Sequence, residues 1–180
     1  MLDVGAGAGR VALELQDRGH EVVAVDVSPG AVEVCRRRGV RDARVVAFED
    51  LDASVGPIDT VVMFGNNFGL FGGAAKARRM LRRLHRLTTP QGRIVAETRH
   101  TFSTDNPDHL GYHERNRQRG RMPGQLRLRV RFRLAATPWF DYLIVSPDEL
   151  RELVTGSGWE VSRLLEGESG IYVAVLDKAW

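Results

Sequence analysis

In the run Leu2-Asp3-Val4-Gly5-Ala6-Gly7-Ala8-Gly9-Arg10, an acid is followed by three glycines at alternate positions. Glycines let the backbone turn sharply and let a ligand approach main-chain amides closely. The helix expected from Arg10 onward places its positive N-terminus behind that turn, a place that favours a negative group. A second acid, Asp26, closes the next apolar run, Glu21 to Asp26. A carboxylate at the end of a strand in that position can accept hydrogen bonds from both hydroxyls of a ribose. Strand, glycine turn, helix and then a strand ending in an acid form the layout of a site for an adenosine-containing cofactor.

Two cofactors fit this outline. A dinucleotide fingerprint reads G-x-G-x-x-G/A. Counted from Gly5 its last position is Arg10, which fails; counted from Gly7, Ala12 satisfies it, but the pattern then starts two residues late relative to the strand. Asp3 weighs against a dinucleotide, because a charge inside a buried strand is costly unless it is paired. The run resembles motif I of the class I S-adenosylmethionine-dependent methyltransferases, an acid–x–G–x–G–x–G pattern. The resemblance implies S-adenosylmethionine as cofactor, with Asp3, Gly5, Ala6, Gly7 and Gly9 at its methionine end and Asp26 and Val27 at its ribose. Phe48, Glu49 and Asp50 would lie near the adenine, although the family's usual glycine–acid pair is absent there. Phe64 and Gly65, at the end of a fourth strand, would line the cleft. The implied activity is methyl transfer to a small-molecule acceptor. The alternatives are an NAD(P)-dependent oxidoreductase and a catalytically silent cofactor-binding domain.

Acceptor-side candidates lie after the fourth and fifth strands. Asn66 and Asn67 can hold a polar acceptor or a cofactor group, or simply cap a loop. Relatives that methylate nucleic-acid bases carry prolines after such an asparagine; Asn66-Asn67-Phe68-Gly69 has none, which disfavours a nucleic-acid substrate. His100 and His113 are candidate general bases, or ordinary loop histidines. His109 and His113 have the spacing of metal ligands on a helix, but Gly111 intervenes and no third ligand is evident, so no metal is expected. Leu126 to Leu134 alternates apolar residues with Arg127, Arg129, Arg131 and Arg133, the pattern of a half-buried strand with one arginine face. That face suits solvent, an anionic small substrate or nucleic acid.

The elements that must position these residues read as α/β. Strands are expected at Met1–Val4, Glu21–Asp26, Ala43–Phe48, Asp59–Phe64 and Arg93–Thr98, with helices at Arg10–Arg18, from Ser28 to about Gly39, and at Ala74–Leu87. Ser146 to Glu149 forms a capping box that opens a helix to about Thr155. Trp159–Leu165 and Ile171–Asp177 read as a closing antiparallel hairpin. The resulting fold is a doubly wound, mostly parallel seven-stranded sheet of the Rossmann-like methyltransferase type. An insertion over residues 99–145 is polar at first and then carries a hairpin that pairs Leu126–Leu134 with Trp139–Val145. That hairpin is expected to pack over the ligand cleft as a lid.

The 180 residues suit one domain over 1–180, and 43% hydrophobic content supports one core. No apolar run reaches the roughly 18 residues of a membrane span, so no membrane partner is expected. Cys35 is the only cysteine; with no signal peptide recognisable, a cytoplasmic location is expected. Net charge is +3 and the pI about 9.5, which permits an anionic partner. The glycine loop begins at residue 5, whereas family members carry helices before motif I. Such N-terminal helices are therefore expected to be missing here, with the cofactor less covered and apolar surface exposed that could drive homodimerisation.

Overall fold

The computed structural model describes residues 1–179. β1 (Leu2–Val4) enters the glycine turn, and α1 (Arg10–Asp17), β2 (Val23–Asp26), α2 (Pro29–Arg37) and β3 (Asp42–Val45) follow. The Ser28 hydroxyl caps α2 by accepting from the Ala31 amide, and Pro29 occupies the first turn, where no amide is missed. β4 (Ile58–Met63), α3 (Ala74–Leu87) and β5 (Thr88–Arg99) come next. After the insertion, α5 (Pro147–Val154) starts at the expected capping box: Ser146 accepts from the Glu149 amide and Glu149 accepts from the Ser146 amide. β10 (Trp159–Glu166) and β11 (Ile171–Lys178) close the chain as an antiparallel pair.

The seven strands lie in the order β10-β11-β5-β4-β1-β2-β3. β1 pairs in parallel with both β2 and β4, whereas β11 runs antiparallel to β5. Strand order reverses beside β1, so its carboxyl end faces the crevice where open α/β sheets bind ligands. Successive strand residues point to opposite faces. On β2, Ala24 joins the cluster of Ala12, Val32, Cys35 and Val40 under α1 and α2. Val25 joins the larger cluster under α3 and α5, with Leu81, Leu84, Ile94, Leu150 and Leu176. α3 supplies Ala77, Met80, Leu81 and Leu84 to that core and leaves Arg78, Arg79, Arg82 and Arg86 exposed, as its 3.6-residue period requires.

The insertion departs most from the sequence reading. Its polar first half contains α4 (Pro107–Gln118), capped by the Asn106 side chain on the Asp108 amide. The residues this helix buries are His113 and Asn116, so no apolar period marks it. Asn116 spends its amide on the carbonyls of Pro123 and Gln125 and so shapes the turn that follows. The arginine-faced strand is interrupted. β6 (Gln125–Leu128) pairs with β9 (Phe140–Leu143), and a separate small hairpin, β7 (Arg131–Phe132) with β8 (Ala135–Ala136), stands beyond it. A half-buried strand through Leu134 was expected; beyond Leu128 the backbone breaks pairing, and residues 129–139 are exposed on both faces.

Candidate functional site

The glycine loop folds back on the end of β2. The amides of Gly5 and Ala6 both donate to the Val25 carbonyl, at 2.9 and 3.0 Å. The Asp26 carboxylate is held at both oxygens: the Gly7 amide donates to one at 2.9 Å and the Ser28 amide to the other at 2.8 Å. Gly5, Gly7 and Gly9 all have positive φ. Gly9 is also a packing requirement, since a Cβ there would meet Val40 at 2.7 Å and Cys35 at 3.1 Å. The Cys35 thiol donates to the Gly7 carbonyl, so this buried cysteine supports the loop from below.

Asp3 lies in the sheet beneath this loop, only 2% exposed. One carboxylate oxygen, Oδ2, is buried without a partner. Burial pushes its pKa up to about 6, against a backbone hydrogen bond and the charge of Arg10, which pull it down. An orphaned carboxylate oxygen beside glycines that leave space is an acceptor suited to a cationic, amine-bearing ligand. A Cβ at Gly7 or at Gly65 would meet nothing within 4 Å. These residues therefore fit the methionine end of S-adenosylmethionine. Val27, 71% exposed, follows Asp26 and leaves an apolar surface beside it.

Two residues of this site have roles that the sequence did not give. Asn67, read with Asn66 as a contact to acceptor or cofactor or as a loop cap, donates its amide to the carbonyls of Val4 and Gly5, at 2.9 and 2.8 Å. It clamps the segment after β4 to the glycine loop, and Gly5 makes room for it. Glu97, near the end of β5, accepts from the Asn66 amide at 2.8 Å. Its signal was available: an acid directly after the apolar run Ile94-Val95-Ala96, at the end of an expected strand, called for the same question as Asp3.

Asn66 adopts a left-handed conformation, and its side-chain Oδ1 is buried without a partner. Tyr142, from β9, donates its hydroxyl to the Asn66 carbonyl. Burial and then the Glu97 charge push its pKa up to about 12, so it stays a donor at neutral pH. Phe64 is half-buried and Gly65 exposed at the end of β4.

Of the adenine candidates, Phe48 is 7% exposed and sits in the core, edge-on to Phe71 at 5.2 Å. Glu49 pairs with Lys76 on α3. Burial raises its pKa, but the hydrogen bond from Lys76, its backbone contact and the Lys76 and Arg79 charges outweigh that and leave it lowered. Asp50 is exposed. A cleft of about 600 Å³ opens between residues 72–76 and 120–125, with Glu49, Phe140 and Asp141 on its walls.

His100 and His113 gather elsewhere. Each lies edge-on to Phe102, at 6.1 and 5.9 Å. His100 borders a separate cavity of about 280 Å³ shared with Ser103, Glu166 and Tyr172. His113 is buried, with Nδ1 unpartnered; burial, then Arg117 and His109, lowers its pKa. Among the described residues no hydrogen bond ties either histidine to the glycine loop.

Residues 1–92 match the family model described as a methyltransferase domain. Over its whole length the chain superposes on a S-adenosylmethionine-dependent methyltransferase from Bacteroides fragilis, solved with S-adenosyl-L-homocysteine. The TM-score is 0.83 and identity 30%, covering 99% of this chain and 72% of that one. The chain belongs to the class I S-adenosylmethionine-dependent methyltransferases. A demethylmenaquinone methyltransferase from Clavibacter sepedonicus is 39% identical over 97 residues, which are 53% of this chain. The match spans only 39% of that relative's length. The fold is also shared with an N1-methyltransferase from Burkholderia thailandensis, solved with 1,6-didemethyltoxoflavin and S-adenosylhomocysteine. There the TM-score is 0.60 and identity 20%, covering 99% and 70% of the two chains. Among the described residues no helix is long and apolar enough to cross a membrane.

Proposed function

We propose that this chain binds S-adenosylmethionine at the carboxyl edge of β1 and β2 and directs its methyl group to a small-molecule acceptor. The observation that carries the reading is Asp26, fixed by the Gly7 and Ser28 amides at the end of β2 and level with the glycine turn. When bound, the cofactor supplies a methyl carbon on a positively charged sulfur. Asp26 takes the ribose hydroxyls, Val27 the adjacent apolar edge, and Asp3 with Gly5, Ala6, Gly7 and Gly9 the methionine end. Glu49 and Asp50 take the adenine side, and Phe64 and Gly65 line the cleft. Phe48 supports this wall from the core.

The acceptor is assigned to the space between the ends of β4 and β5 and the insertion. Alignment of acceptor and methyl carbon is the main task, and fixed geometry of this kind is worth roughly 7–11 kcal/mol. Asn66 and Tyr142 form the polar wall of that space, with Glu97 behind Asn66. Residues 99–145 act as its lid, a reading supported by the seat of Tyr142 on Gly69, where a Cβ would meet the ring at 2.1 Å. His100 and His113 lend a general base less support than Glu97 does, because both are engaged with Phe102. Of the arginines that motivated an anionic acceptor, Arg129, Arg131 and Arg133 stand on the exposed hairpin tip, while Arg121 and Arg127 pair with Asp141. Leu165 and Ile171, exposed on the closing hairpin, support a homodimer, which sedimentation would test.

The relatives named above are methyltransferases, and none supports the oxidoreductase alternative. Calorimetric titration with S-adenosylhomocysteine, NAD and NADP tests the cofactor reading. Binding of the first alone is expected; binding of NAD in its place would overturn it. A screen of methyl acceptors under the same conditions separates an active enzyme from a silent binding domain.

A further inference from the structure

The hairpin tip at residues 129–139 is exposed at every position. Val130, Phe132, Leu134 and Trp139 all stand in water, Phe132 at 72% and Leu134 fully. Large apolar side chains gathered in water on one short element mark a surface that meets a partner. The tip is nonetheless a formed structure. β7 pairs with β8, the Thr137 amide donates to the Val130 carbonyl at 2.9 Å, and the Val130 amide donates to the Thr137 hydroxyl at 3.0 Å.

Its charge has one sign. Residues 129–139 contain Arg129, Arg131 and Arg133 and no acid. None of the three takes part in an ion pair among the described residues, and the nearest acid in the chain, Asp141, is shared by Arg121 and Arg127. Arg129 lies over the Trp139 ring at 4.9 Å and Arg133 over the Phe132 ring at 5.3 Å. One face of each ring is thus taken by a guanidinium, which argues against a platform for stacked bases.

We propose that this tip docks on an anionic lipid surface. Phe132, Leu134 and Trp139 enter the interfacial layer, and the three arginines hold lipid phosphates. A bilayer supplies at adjacent depths the two environments that this alternation demands, a negative layer and an apolar one. Arginine can keep its charge in the former while its stem lies in the latter, and tryptophan favours the boundary. Apolar side chains on such elements reach roughly 5–10 Å into the headgroup boundary. The absence of a membrane-spanning run does not bear on a contact of this peripheral kind. The stem of the hairpin ends at Tyr142 on Gly69, so docking brings the cleft beside β4 close to the lipid surface.

The test is flotation of the whole chain with vesicles of phosphatidylcholine alone and of phosphatidylcholine with one third phosphatidylglycerol. Binding at least tenfold tighter to the anionic vesicles, weakened by salt, is expected. Each of Arg129→Gln, Arg131→Gln and Arg133→Gln should weaken it about fivefold. Phe132→Ser with Leu134→Ser should abolish it at moderate salt, while the circular dichroism spectrum stays unchanged because the tip lies outside the core. Trp139 fluorescence should be quenched by brominated lipid, a signal that Trp139→Phe removes from the background of the other tryptophans. No binding to anionic vesicles overturns the proposal, as does binding that survives the Phe132/Leu134 pair of substitutions. Loss of RNA binding or of self-association in these variants, without any vesicle binding, assigns the tip to another partner and equally overturns it.

Discussion

The ring of Tyr142 lies on Gly69, and its hydroxyl reaches the carbonyl of Asn66. A residue of the insertion thereby rests on the segment that follows β4. Gly69→Ala forces a methyl group into the ring and should cost about 1–3 kcal/mol, the range for overpacking. Tyr142→Phe keeps the ring and loses one hydrogen bond, about 0.5–1.5 kcal/mol. Thermal melts of the two variants should show the larger drop for Gly69→Ala; equal melting temperatures would mean that the ring is not seated there in solution.

Asp26→Ala should weaken S-adenosylhomocysteine binding at least tenfold, because charge-assisted hydrogen bonds of about 1.5–3 kcal/mol are lost. Asp26→Asn is the sharper variant. Its amide nitrogen must face either the Gly7 or the Ser28 amide, donor against donor. Calorimetry should find it no better than the alanine variant, and an affinity near that of the unaltered chain would remove Asp26 from the ribose.

Burial holds the Asp3 carboxyl near pH 6, above its ordinary value of 3.8. Between those values the folded chain binds more protons than the unfolded one, so stability falls as pH rises through this window. The neutral acid's advantage is fully present below about pH 4 and gone above about pH 6, a difference of about 3 kcal/mol. Asp3→Asn should remove this slope from denaturant-derived stabilities measured between pH 4 and 7. At pH 7 the variant should be at least as stable as the unaltered chain yet bind S-adenosylhomocysteine more weakly. Unaltered affinity would leave Asp3 as a structural acid only.

Asn67→Ala strips the Val4 and Gly5 carbonyls of their donor, at a cost of about 1–3 kcal/mol. Asn67→Asp sets an acceptor against two acceptors and should be worse. Both should lower cofactor affinity without touching the ligand. A variant that keeps full affinity while losing stability would show that the clamp serves the fold alone.

The sheet and the glycine turn at its edge were legible because their signals are local. Alternation of apolar runs with capped helices, three glycines and two acids each speak within a few residues. α3 and α5 were bounded correctly by their apolar period and by the Ser146–Glu149 box. α4 was illegible because it buries His113 and Asn116, so the hydrophobic period that betrays most helices is missing. The Leu126–Leu134 alternation misled in the other direction. It states that a strand could bury one face, not that anything lies there to bury it. The partners of Asn67 and Glu97 were illegible because they lie 62 and 31 residues away in the chain, and only the fold brings them together.

The short segment from Asn66 to Phe71 is touched from two sides. Tyr142 rests on it from the insertion, and Asn67 reaches from it to Gly5. If residues 99–145 are the lid proposed above, its occupancy and that of the glycine loop share one mechanical element. A ligand that fixes Tyr142 in its seat also steadies the loop that must receive the cofactor. Thermodynamic reciprocity then makes the two affinities rise by the same factor.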